Sequence, residues 1–190
     1  MLPSLLFLAE RRFLRLVASC TLVLGAVACS SSKKEDVTPE NLITKNDFES
    51  MEGWGVVSSS LTTAKAHSGR YSVKVDPETE YSIGYTNNLI RVSDRKINKI
   101  HVHGWVLLSG PKAKAVMVVQ ITDPAKGGPP IYWEAMNIRA EVKTLNHWTE
   151  IDKDFDLPST INSNQELKVY MWRNGPEQTT YLDDLEITKG

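Results

Sequence analysis

Tyr170 and Trp172 stand two positions apart in Leu167-Lys168-Val169-Tyr170-Met171-Trp172, and Tyr132, Trp133 and Glu134 are consecutive. Aromatic rings stack on flat C–H surfaces, while amide and carboxylate side chains hydrogen-bond hydroxyl groups. With Gln120, these residues have the chemistry to hold a polyhydroxylated ligand without altering it. Cys29 offers a different chemistry, a thiol that can be acylated. His101-x-His103 could place two imidazoles on one strand face, but zinc needs three or four ligands and no third is evident. A solvated face is the simpler reading of that pair. Catalysis finds no constellation. The chain has no G-x-S-x-G, no H-E-x-x-H and no glycine-rich phosphate loop. A glycosidase needs two carboxylates flanking a cleft, and nothing in the sequence pairs Glu134 with a second acid. The chain reads as a binder rather than an enzyme.

The elements that must position these residues are strands. Short stretches alternate with period two and are broken every 8–15 residues by Gly, Pro, Asn or Asp. Tyr71 to Val75 ends at Asp76-Pro77, Ile97 to Leu108 ends at Ser109-Gly110-Pro111, and the apolar run Ala115 to Thr122 ends at Asp123-Pro124. Ile131 to Ile138, Trp148 to Phe155, Leu167 to Trp172 and Thr180 to Ile187 follow. About nine or ten such strands with no helix of note predict an all-β, antiparallel β-sandwich. Parity then assigns faces. Leu167, Val169 and Met171 point to the core, which sends Tyr170 and Trp172 outward. Gln120 points outward if Met117, Val119 and Ile121 are core. On the next strand, either Trp133 or the Tyr132/Glu134 pair joins the outward face. Ile100, Val102, Gly104 and Val106 share one face of their strand, and His101, His103 and Trp105 the other. Leu185, Ile187 and Asp183 share the inward parity, which puts a carboxylate on the core side. That carboxylate must be paired or neutralised.

The N-terminus has the parts of a secretory signal. Arg11, Arg12 and Arg15 precede Leu16 to Ala28, 13 residues without charge. That run is too short to span a bilayer, which needs about 20 apolar residues. It ends in Val27-Ala28-Cys29, which resembles the lipobox of bacterial lipoproteins. The resemblance implies cleavage before Cys29 and a diacylglycerol on its thiol. Two or more acyl chains make an anchor that is hard to reverse. Residues 1–28 are then the signal, and residues 29–40 are the lipidated Cys and a polar tether. Lys34-Glu35-Asp36 is either plain spacer or, by resemblance to the export signal of some surface lipoproteins, an address on the outside of the outer membrane. Without the three Arg and one Glu before Cys29, 19 basic and 22 acidic residues remain. That balance argues against a nucleic-acid partner.

Residues 41–190 form one domain. Along it run Asn46-Asp47-Phe48-Glu49, Gly53-Trp54, His67-Ser68-Gly69-Arg70-Tyr71-Ser72, Gly104-Trp105-Val106, Trp148-Thr149-Glu150, Phe155-Asp156-Leu157-Pro158 and Tyr181-Leu182-Asp183-Asp184-Leu185. In this order and spacing the chain resembles the galactose-binding-like jelly-roll carbohydrate-binding modules of bacterial xylanases and glucanases. The resemblance implies non-covalent glycan binding on a concave sheet, with Trp172, Tyr170, Gln120, Tyr132, Trp133 and Glu134 as candidate ligand-binding residues. Trp54, Trp105 and Trp148 fall on positions that look architectural. It also implies a structural Ca²⁺ between the first and last strands, with Glu49 and Asp183 at the matching positions. The alternative for Asp183 is a turn cap that accepts backbone N–H groups. The alternative for the whole is a structural envelope lipoprotein whose sandwich contacts a protein partner.

Overall fold

A computed structural model describes residues 40–175 and 178–190. The signal, Cys29 and most of the tether lie outside the described residues. Ten strands appear: β1 Leu42–Asn46, β2 Leu61–Thr62, β3 Ser72–Val75, β4 Tyr85–Asn88, β5 Lys99–Leu108, β6 Ala115–Thr122, β7 Tyr132–Asn137, β8 Thr149–Asp156, β9 Glu166–Arg173 and β10 Thr180–Lys189. Two single-turn helices, α1 Leu89–Val92 and α2 Ile138–Glu141, follow β4 and β7. Among the described residues no helix is long and apolar enough to cross a membrane.

The strands form two antiparallel sheets, the sandwich expected from the alternation, with the jelly-roll fold that the family resemblance implied. The larger sheet runs β2-β3-β10-β5-β8, and β1 also pairs with β10. Both β3 and β1 lie on β10: β3 pairs with Thr180 to Leu182, and β1 with Leu185 to Thr188. The smaller sheet runs β4-β9-β6-β7. Period-two alternation drives the packing, because a sheet buries one face at the expense of the other. Ile100, Val102 and Val106 from β5, Ile151 and Phe155 from β8, and Leu182, Leu185 and Ile187 from β10 meet Met117, Val119 and Ile121 from β6 and Leu167, Val169 and Met171 from β9.

Two irregularities re-aim side chains. Tyr85 lies opposite Val169, while Tyr81 lies opposite Trp172. Four residues of one strand therefore span three of the other, which is a bulge, and a bulge reverses parity beyond it. Gly84 sits inside it. A Cβ there would stand 2.4 Å from the Val169 carbonyl oxygen and 2.6 Å from Tyr170 Cβ, so only glycine lets the backbones approach. The second irregularity lies in β10, where the pairing with β5 shifts between Asp183 and Glu186. Asp184 takes φ 47° there. Asp183 pairs with Trp105, and Leu182 pairs with Val106. Asp183 therefore shares the outer side with Trp105, whereas strict parity predicts the core side. It is fully buried all the same, beneath the turn that carries His67 and Ser68.

Candidate ligand face and carboxylate clasp

The solvent face of the small sheet collects most of the residues singled out in the sequence. Across it, Gln120 lies between Trp133 on β7 and Lys168 on β9, and Val118 lies between Ala135 and Tyr170. Trp172 is opposite Val116. Tyr170 and Trp172 face outward, as parity requires. The Tyr170 hydroxyl donates to Gln120 Oε1 at 2.9 Å, which fixes the amide and leaves its N–H₂ group to donate. The Trp172 ring meets Trp133 edge-on at 6.3 Å between centroids. Its indole N–H donates to Glu80 Oε1 at 3.3 Å.

Tyr81 completes the group. It lies 13° from parallel to Trp172 with centroids 6.5 Å apart, and its edge meets Tyr170 at 5.9 Å. Tyr81 is 52% exposed and Trp133 48%, so two large rings stand in water where burial would have favoured them. Sequence reasoning missed Tyr81 and Glu80. By parity Tyr81 belongs with the buried Ile83 and Tyr85, and only the bulge at Gly84 turns it outward. Gly84 in an otherwise alternating run was the available signal.

Tyr132 and Glu134 do not join this face. Both point to the other side of β7, at the open edge of the sandwich. The Tyr132 hydroxyl donates to Glu134 Oε2 at 2.8 Å, and Glu134 Oε1 pairs with Lys153 Nζ of β8 at 2.7 Å. The Lys153 hydrogen bond holds the Glu134 carboxyl below its usual range. Burial, then the bond to Glu134, pushes the Tyr132 hydroxyl up. The three residues tie the edge of one sheet to the edge of the other.

The two candidate calcium ligands clasp one turn. Glu49 Oε1 accepts the N–H groups of Arg70 and Tyr71, both at 2.6 Å. Asp183 Oδ2 accepts those of His67 at 2.7 Å and Ser68 at 3.2 Å, and Oδ1 accepts that of Asp184 at 2.7 Å. Between them Gly69 takes φ +56°, and a Cβ there would lie 2.5 Å from Glu49 Oε1. Burial pushes the Asp183 carboxyl up to about 6 despite its three N–H donors. Asp183 thus makes the turn cap that the sequence left as the alternative to calcium; the two carboxylates, the buried one without an ion-pair partner among the described residues, are also hard oxygen donors of the kind Ca²⁺ takes. Among the described residues no three His, Cys, Asp or Glu side chains converge as a metal group. A calcium ion would therefore complete its shell with backbone carbonyls and water.

Of the three tryptophans that looked architectural, Trp54 is buried against Phe48 and Tyr85. Trp105 and Trp148 are only half-buried. His67 stacks on Trp105 at 4.0 Å and meets Trp148 edge-on at 5.7 Å. His101 contacts Asp152 and Asp154, and His103 contacts Glu150, so this pair sits in a charged, solvated face.

A jelly-roll sandwich with an exposed aromatic and amide face is the architecture of a binding domain. The profile of a carbohydrate-binding domain family matches residues 40–179, and the chain belongs to that family. No curated protein sequence matches it. Among solved structures it is similar to the xylan-binding CBM22-1 domain of Paenibacillus barcinonensis Xyn10C, with 18% identity and a TM-score of 0.53 over 79% of this chain and 95% of that one. It is also similar to the C-terminal family 22 carbohydrate-binding module of Clostridium thermocellum Xyn10B, with 15% identity and a TM-score of 0.53 over 80% of this chain and 95% of that one. At these identities the likeness is one of fold. The family is that of a binding domain, not a catalytic one.

Proposed function

We propose that the protein is a lipid-anchored module that binds polysaccharide non-covalently on the solvent face of its small sheet. Convergence of Tyr81, Tyr170, Trp172 and Trp133 on that face, in a domain of a carbohydrate-binding family, carries this reading. The rings supply stacking surfaces, and Gln120 and Glu80 supply hydrogen bonds to hydroxyl groups. Xylan is the first ligand to test, since the P. barcinonensis module is described as xylan-binding. Trp172→Ala removes the ring that touches both Tyr81 and Trp133. It weakens binding by about 30-fold or more, the loss of a ≥2 kcal/mol anchor, while the melting temperature holds. Affinity electrophoresis on a polysaccharide panel measures this, and unchanged retardation of the variant refutes it.

In this reading Cys29 carries the acyl anchor, and residues 29–40 hold the domain off the outer membrane at the cell surface. Glu49 and Asp183 hold a structural Ca²⁺ that ties the β1–loop junction to β10. Cys29→Ser would move the protein from the membrane to the soluble fraction, and protease applied to whole cells reports which side the domain faces. A purely structural role against an envelope protein has less support, because it leaves the exposed aromatic face without a use.

A further inference from the structure

The large sheet carries a second recessed surface on its solvent side. A cleft of about 470 Å³ lies where the loop after β1 stands beside β10 and β5. This is the size range of a small-molecule site. Its floor is a cross-strand row, Lys45 on β1 opposite Glu186 on β10, which is opposite His103 on β5. Asp47 and Glu52 line the loop side, and Asp184 closes the end. Among the described residues, the carboxylates of Glu52 and Glu186 have no hydrogen-bond or ion-pair partner. Asp184 owes its position to the β10 bulge, and its φ of 47° is a conformation that costs a non-glycine residue energy.

Trp105 stands two positions beyond His103 on the same face of β5. His67 stacks on Trp105, and its Nδ1 lies 2.6 Å from Asp184 Oδ2. An aromatic group of His67, Trp105 and Trp148 therefore adjoins the cleft through Asp184. Four carboxylates against Lys45 and His103 repel anions. What suits the cleft is a ligand with several hydrogen-bond donors and a flat apolar patch, and no negative charge.

We infer that this cleft is a second saccharide site, on the opposite sheet from the aromatic face and specific for sugars without anionic groups. Hydroxyl donors meet Glu52, Glu186 and Asp47, Lys45 serves a hydroxyl or ring oxygen, and the sugar's C–H surface rests against the aromatic rim. One domain would then hold two chains, or two segments of one chain, at once.

The test titrates the isotope-labelled full-length chain with xylohexaose, cellohexaose and galactotriose as neutral probes and trigalacturonic acid as the anionic one, with amide shifts as readout. The expected result is that at least one neutral probe moves amides of residues 45–52, 103 and 184–186, both in the wild type and in Trp172→Ala. The double variant Glu52→Gln/Glu186→Gln weakens binding in the cleft by about tenfold or more, as lost charge-assisted hydrogen bonds require, at an unchanged melting temperature. The inference is overturned if the cleft amides stay still with all three neutral probes. It is also overturned if trigalacturonic acid moves them as strongly, or if Trp172→Ala abolishes both sets of shifts together. Cleft shifts without any in β9 of the wild type would support the cleft and fail the small-sheet reading alone.

Discussion

Asp183 makes the calcium proposal quantitative. Its carboxyl is pushed from 3.8 up to about 6 by burial. A folded-state value above the unfolded one means that the folded domain binds the proton more tightly. Stability is then highest while the group is protonated, falls as pH rises from about 4 to about 6, and stays lowered above that. The difference is roughly two pH units, or about 3 kcal/mol. For a domain of this size that is about 6–12 °C in Tm. Asp76, Glu134 and Asp154 are shifted the other way. What they contribute is lost as pH falls through and below the ordinary carboxylate range, a slope of the opposite sign, so among these four groups only Asp183 makes stability fall as pH rises from 4 to 6. Bound Ca²⁺ would hold the carboxylate ionised, remove the fall and add stability by mass action. The assay is thermal unfolding in chelator and in calcium chloride at several pH values. Asp183→Asn should be less stable by about 1–3 kcal/mol at pH 4, because its amide N–H₂ faces backbone N–H donors, and it should lose the slope, so that in chelator the deficit closes or reverses above pH 6. A flat or rising profile for the wild type in chelator, or the same slope in Asp183→Asn, would refute the reasoning. Equal profiles with and without calcium would refute the metal alone.

Three further outcomes test particular contacts. Gly84→Ala should cost about 1–3 kcal/mol in urea unfolding, because its Cβ must displace the Val169 carbonyl or Tyr170, and it should weaken glycan retardation through the shift of Tyr170. Glu134→Gln should change stability by less than about 1 kcal/mol, its bridge to Lys153 being part-exposed, and should leave glycan affinity unchanged, since the residue faces away from the aromatic group. Thr180→Val should raise stability by about 1 kcal/mol in the same unfolding assay, because the buried Thr180 hydroxyl has no hydrogen-bond partner among the described residues.

Alternation disclosed the long strands β5, β8, β9 and β10, since each buries one face along most of its length, and a continuous apolar run disclosed β6, which is buried on both faces over most of its length. β1, β2 and β4 stayed hidden because they are short and only partly buried, so too few residues repeat to show a period. The same rule placed Tyr170, Trp172 and Gln120 correctly, because β6 and β9 pair without a bulge. It misplaced Asp183 and could not have placed Tyr81, and for one reason: each lies beside an extra residue in a strand, and one inserted residue flips every side chain beyond it. For β7 the sequence left two faces open, and its pairing with β6 chose Trp133 over Tyr132 and Glu134. The cleft on the large sheet could not be foreseen, because it depends on how the loop after β1 stands against β10.

The division into two sheets bears on how the domain would carry load. In the proposed function, a tether leading into β1 would pull on the six-stranded sheet, whereas a polysaccharide held by Trp172 would pull on the four-stranded one. Among the described residues no strand ladder joins the two sheets. Tension between anchor and ligand would therefore cross the loops that connect the sheets, the apolar interior, whose attraction has no preferred direction, the Arg173 bonds to the Asp76 and Pro77 carbonyls and the ion pair of Glu134 with Lys153 at the edge. Hydrogen bonds within each sheet would be spared. Under force, such a domain would be expected to yield first by the sheets sliding past one another.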